Sequence, residues 1–214
     1  MTKFIDNLSM ACSRLRLFKR AVDASKKTVK IESNYAKALL QGNSFENLGM
    51  FKEAIRAYKQ AVRIEPNDAE ANYNLGNAYI NVGMYQEAIE AYKAAARLNP
   101  LDARSFYSLG NAYGKLGNYS AAISTIKRTI QIRPTMSGAH KSLGIYYGMI
   151  GMYQKSRESL SQAVKMEPHN ASARYNLAIV CLELKERNDA LKQYNILKNL
   201  APRVADKLSK VLQN

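Results

Sequence analysis

The chain has 214 residues, an ordinary apolar content of 47% and a formal net charge of +15, from 32 lysines and arginines against 17 acids. No apolar run comes near the ~18 residues that a membrane helix needs. Two cysteines and two histidines are too few and too scattered for a disulfide framework or a paired-histidine metal site.

The only prolines, Pro66, Pro100, Pro134, Pro168 and Pro202, stand 34 residues apart throughout. A fixed period in that range marks a solenoid of identical supersecondary units, each too small to bury its own apolar faces. In chain order, residues 1–34 read as a degenerate first unit, with Ser33 in the place of the proline and Leu8, Ser9, Cys12, Ala21, Ser25 and Thr28 at the signature positions. Nine residues separate Ser33 from Gly42 where later units have ten, and losing one residue turns a helix by about 100°. An altered docking of the first hairpin is expected, leaving the apolar stripe Phe4, Ile5, Leu8, Cys12 and Leu15 to drive self-association.

Residues 35–68, 69–102, 103–136 and 137–170 are regular units, with Gly49, Gly83, Gly117 and Gly151 at their turns. Residues 171–204 form a sixth, in which Ala178 replaces the helical glycine and Lys185 stands at the turn. Residues 205–214 place Leu208, Val211 and Leu212 on the apolar positions of one more helix, expected to cap the open end. Charge is uneven: +5 in residues 1–34, −2 in 69–102, +5 in 103–136 and +4 in 171–214.

Within the unit 69–102, Leu75, Gly76 and Tyr79 share one helical stripe and Ala88, Tyr92 and Ala95 another. Gly83 ends the first helix in a left-handed conformation. Pro100 stops the second, and Asp102 supplies a carboxylate to cap the next. Small residues at Gly76 and Ala88 let the two helices approach closely.

The run Ala69-Glu-Ala-Asn-Tyr-Asn-Leu-Gly-Asn-Ala-Tyr closely resembles the tetratricopeptide-repeat (TPR) family. The resemblance extends over nearly the whole chain. One departure is general: Asn72, Phe106, His140 and Arg174 stand where that family often has tryptophan. The resemblance implies an all-α, right-handed superhelical solenoid of about six hairpins plus a capping helix, with the first helix of each hairpin on the concave face. It also implies a non-enzymatic scaffold for protein–protein interaction.

The search for chemistry agrees. His169 falls in a turn, His140 at a packing position, and Gly110-Asn-Ala-Tyr-Gly-Lys-Leu is one residue short of a phosphate loop and lacks its hydroxyl residue. No catalytic site, metal, cofactor or small-molecule substrate is expected. What remains is the groove. Asn43, Asn77 and Asn111 recur at the repeat period and form a row that can bond the backbone of an extended peptide. Asn43, Asn74 and Arg104 also fit three places of the carboxylate clamp by which chaperone-binding TPR proteins hold C-terminal tails, while Leu39 and Ser108 occupy its other two.

Tyr73, Tyr107 and Tyr175 offer flat contact, Asn176 adds a further amide, and Arg104, Lys115 and Lys141 favour acidic groups or a terminal carboxylate. The expected partner is thus a protein or peptide, extended and acidic. A second copy of the chain, an anionic membrane surface and nucleic acid are the alternatives, and the cytoplasm is the expected compartment.

Overall fold

The computed structural model describes Arg20, Lys30 and residues 32–213. Among these are eleven helices and no strand: α1 (32–47), α2 (Phe51–Ile64), α3 (Ala69–Asn81), α4 (Tyr85–Leu98), α5 (Ala103–Lys115), α6 (Tyr119–Ile132), α7 (Ser137–Met149), α8 (Tyr153–Met166), α9 (Ala171–Glu183), α10 (Arg187–Leu200) and α11 (Pro202–Gln213). Consecutive helices from α2 onward pack antiparallel in hairpins, and α5, α7 and α9 also touch in succession. The odd-numbered helices therefore crowd along the inner wall of a helical-repeat solenoid. Among the described residues, no helix is long and apolar enough to cross a membrane.

Each hairpin is set by the same few residues. Asp68 and Asp102 cap α3 and α5, their carboxylates accepting from Ala71 N at 2.9 Å and Arg104 N at 3.1 Å. The four turn glycines take φ between 71° and 77°, and Lys185 adopts φ 63° at the equivalent turn. The small helical glycine makes room for the large residue sixteen places later. A Cβ on Gly76 would lie 2.6 Å from the Tyr92 ring, and Gly42 and Gly144 stand in the same relation to Tyr58 and Leu160. Tyr58, Ile126 and Leu160 are accordingly fully buried; in the sixth repeat, where Ala178 replaces the glycine, Tyr194 at that place is only half-buried and Leu197 is the buried residue.

The missing tryptophan is replaced by a polar tie. Asn72, His140 and Arg174 each reach the carbonyl of the proline six residues earlier: Asn72 Nδ2 to Pro66 at 3.3 Å, His140 Nε2 to Pro134 at 2.9 Å and Arg174 Nε to Pro168 at 2.7 Å. The side chain at this position fastens the turn between repeats instead of filling the core. Phe106, which has no donor, lies beneath the Arg128 guanidinium, 6.0 Å from its ring centre.

A second periodic device crosses from one repeat to the next. Lys59 lies over the ring of Tyr79, Lys93 over Tyr113 and Lys127 over Tyr147, at 5.6, 6.0 and 5.8 Å from the centroids. The next pair in the series is Ser161 and Cys181, where this interaction has no chemical basis.

The two ends differ in detail from expectation. The chain is already helical at Glu32 and continues unbroken through 47, so the boundary at 34/35 falls inside a helix; no proline stands there to stop it. The self-association residues Phe4, Ile5, Leu8 and Leu15 lie outside the described residues. At the other end Pro202 opens the capping helix, a position where its missing N–H costs nothing. Ala205, Leu208 and Leu212 seal the core, but Val211 is 41% exposed and does not belong to the apolar face.

Candidate functional site

Asn43, Asn77 and Asn111 sit one repeat apart on α1, α3 and α5, and each is engaged through its carbonyl end by a tyrosine. Tyr92 donates to Asn77 Oδ1 at 2.7 Å. The single Tyr58 proton is shared between two acceptors at 2.7 Å, Asn43 Oδ1 and the Glu46 carboxylate. In the fourth repeat Ile126 occupies the tyrosine position, and the bond to Asn111 Oδ1 comes from Tyr146 on α7, at 2.9 Å. Gly114 admits that ring: a Cβ there would lie 2.4 Å from it.

Burial holds the Tyr146 hydroxyl up at about 12, with the neighbouring phenols Tyr107 and Tyr119 adding to the effect. Burial likewise raises Tyr58 and Tyr92, assisted by Glu46 and Tyr73 respectively. These hydroxyls stay protonated donors at neutral pH. The asparagine row was expected to offer a ligand both donor and acceptor. With one lone pair of each carbonyl engaged internally, the row's uncommitted donors are the Nδ2 amides, which bond carbonyls.

The other groove residues divide. Arg104 is already occupied, with its guanidinium 3.1 Å from Glu70 Oε2 and from Asp102 Oδ1 and stacked over Tyr73 at 5.2 Å. Its charge is thus met by two carboxylates of the chain itself. Tyr73 also packs tilted against Tyr92, centroids 5.7 Å apart. Tyr107 reaches across to the start of α7, its hydroxyl 3.0 Å from where a Gly138 Cβ would stand. Asn74 is half-buried on the same wall, Tyr175 packs on the C-terminal core, and Asn176 donates to Ser172 O of its own helix at 2.7 Å. Lys115 is exposed and Lys141 half-buried, and neither makes an ion pair within the described residues.

Past Asn111 the wall changes character, because Ile145 and Ile179 follow in the asparagine position. Two hollows meet at Ile145 and Met149. One, of about 420 Å³, is also lined by Asn111, Gly114, Lys115, Tyr119 and Tyr146. The other, of about 200 Å³, lies between α7 and α9. Sequence reasoning missed Tyr146 and Gly114, although a signal was there: an aromatic where Ala78 and Ala112 stand in earlier repeats, paired with glycine where Ile80 stands.

Models of the TPR repeat match residues 42–83, and models of the tetratricopeptide repeat match 73–137 and 151–210. A comparison with curated protein sequences gives no significant match. Among solved structures, that of the MamA protein is 25% identical, with a TM-score of 0.75 over 82% of this chain and 96% of that one. MamA 41-end from Desulfovibrio magneticus RS-1 is 22% identical, with a TM-score of 0.75 over 79% and 96%. YrrB, described as a TPR protein with an unusual peptide-binding site, is 22% identical, with a TM-score of 0.70 over 82% and 97%. The layout of repeats is thus similar to that of MamA, and the lower identities bear on the fold alone.

Proposed function

Because the chain belongs to the tetratricopeptide-repeat family, whose fold serves protein–protein interaction, we propose that it is a non-enzymatic scaffold that holds an extended peptide of a partner protein along the groove of its odd-numbered helices. The observation that carries this is the row of asparagines whose carbonyl ends are pinned by tyrosine hydroxyls. Pinning fixes each amide plane in advance, so little side-chain freedom is lost when an Nδ2 meets a peptide carbonyl. Three donors at the period of the repeat suit a backbone, which repeats its carbonyls whatever its sequence.

The test is to select binders from a random-peptide display library on the full chain, then titrate one calorimetrically against Asn77→Asp/Asn111→Asp. That variant keeps an acceptor for Tyr92 and Tyr146 but replaces each N–H donor by a charged oxygen, so Asn77→Ala/Asn111→Ala, which adds no charge, is titrated beside it. Affinity is expected to fall by about 0.5–1.5 kcal/mol per lost bond, with folding intact by circular dichroism. Unchanged affinity for every selected peptide would place the ligand elsewhere.

A further inference from the structure

Gly114 and Gly148 hold the same place one repeat apart, but only the first has its space filled, by the ring of Tyr146. A large side chain is acceptable there, since repeats three and six have Ile80 and Leu182. Gly148 has no positive φ, and a Cβ on it would press on nothing closer than the Ser156 hydroxyl at 3.3 Å. A glycine inside a helix destabilises it, and no turn requires this one. What its missing side chain opens is the hollow of about 200 Å³ between α7 and α9, floored by Ile145, Leu160 and Ile179.

The rim of this wall alternates in charge. Lys115, Met149 and Glu183 stand one repeat apart at the C-terminal ends of α5, α7 and α9. They line the two hollows that meet at Ile145 and Met149. Lys115 and Glu183 are both exposed and make no ion pair within the described residues. No carboxylate occurs between Asp102 and Glu158, so the chain itself offers little to neutralise Lys115. The wall reads cation, apolar socket, anion.

Building on the groove function above, we propose that α5, α7 and α9 select a partner peptide that presents an acidic, a large apolar and a basic side chain in that order across the three helices, with the apolar one seated over Gly148. Packed helices lie roughly 10 Å apart and an extended chain rises about 3.3 Å per residue, so one repeat corresponds to about three residues. The recognised pattern is acidic, two spacers, apolar, two spacers, basic, in one chain direction.

The experiment is fluorescence anisotropy with two synthetic peptides on a serine–alanine background. They carry glutamate, phenylalanine and lysine at three-residue intervals, one in each chain direction. Controls of identical composition have the phenylalanine moved to one end. One probe is expected to bind about tenfold more tightly than its control, the scale of a single well-seated anchor. Gly148→Leu fills the socket and should abolish that preference; its Cβ presses on the buried Ser156 hydroxyl 3.3 Å away, so the variant's folding is verified by circular dichroism. The charge exchange Lys115→Glu/Glu183→Lys should transfer the preference to the probe of opposite direction.

Equal binding of probes and controls, binding of none, or a preference that survives Gly148→Leu would overturn the proposal. The groove function fails separately: there, Asn77→Asp/Asn111→Asp leaves the library-selected peptides unaffected. If that variant weakens them while Gly148→Leu does not, only the socket is refuted.

Discussion

Tyr146 donates to Asn111 from 35 residues downstream and in the next repeat, whereas Tyr92 donates to Asn77 from 15 residues downstream in the same hairpin. Three positions change together to permit this. Ile126 lacks the hydroxyl, Tyr146 supplies it where the third and fourth repeats have Ala78 and Ala112, and Gly114 yields the volume the ring needs. The acceptor is satisfied in each case, so the row keeps one polarity although its support comes from different directions.

That coupling predicts a reversal of sign. In the wild type, Gly114→Ala displaces the Tyr146 ring and breaks its bond to Asn111, a loss of about 1 kcal/mol. In a Tyr146→Ala background the same change no longer meets the ring and adds helix propensity, a gain of about 1 kcal/mol. Urea denaturation of the four proteins measures both, and equal effects in the two backgrounds would refute the coupling.

Lys185 takes the left-handed conformation that glycine holds at the other four turns. A side chain there costs about 1 kcal/mol, so Lys185→Gly is expected to stabilise the chain by that order and raise its melting temperature. A lower melting temperature would show that the lysine side chain contributes more than its backbone strain removes.

Burial alone would raise the Asp102 carboxyl, but bonds from Ser105 and Arg104 outweigh it and hold the group below the usual carboxylate range. A carboxyl depressed in the folded state contributes stability that is complete above the unfolded value of about 4 and is lost as pH falls through the folded value. Asp102→Asn keeps a capping side chain but not the charge. The stability gap between wild type and this variant should therefore be flat above about pH 5 and close below about pH 4, in urea titrations across that range. A gap that widens toward acid contradicts the assignment.

Arg174 is buried and donates to Pro168 O and to Gln193 Oε1, both at 2.7 Å. Arg174→Met preserves the aliphatic stem and removes both bonds, with an expected cost of about 2 kcal/mol. A neutral effect would mean that the polar tie to the inter-repeat turn adds nothing to packing.

The repeat, its turns and its caps were legible because each depends on one residue acting locally: a glycine at positive φ, an aspartate accepting its own helix's N–H, a proline without a donor. The site was only half legible. The period located the asparagine row, but the state of each amide depends on a ring from another helix, and no spacing rule links Asn111 to a tyrosine one repeat ahead. Arg104 looked available for the same reason, since its partner Glu70 stands 34 residues earlier and meets it only once α3 and α5 are side by side. Val211 failed differently: on α11 it lies off the face that Ala205, Leu208 and Leu212 turn to the core, and it is exposed.

The lysine-over-tyrosine series has a consequence for how the molecule comes apart. It joins the second repeat to the third, the third to the fourth and the fourth to the fifth, then lapses at Ser161 and Cys181. In a linear array, each junction contributes its own coupling to the cooperativity of unfolding, and the junction between the fifth and sixth repeats relies instead on the Arg157–Glu186 ion pair and on Leu160 packed with Leu177. With that ion pair removed by Arg157→Met, amide exchange should show α9 to α11 opening as one unit ahead of the helices before them.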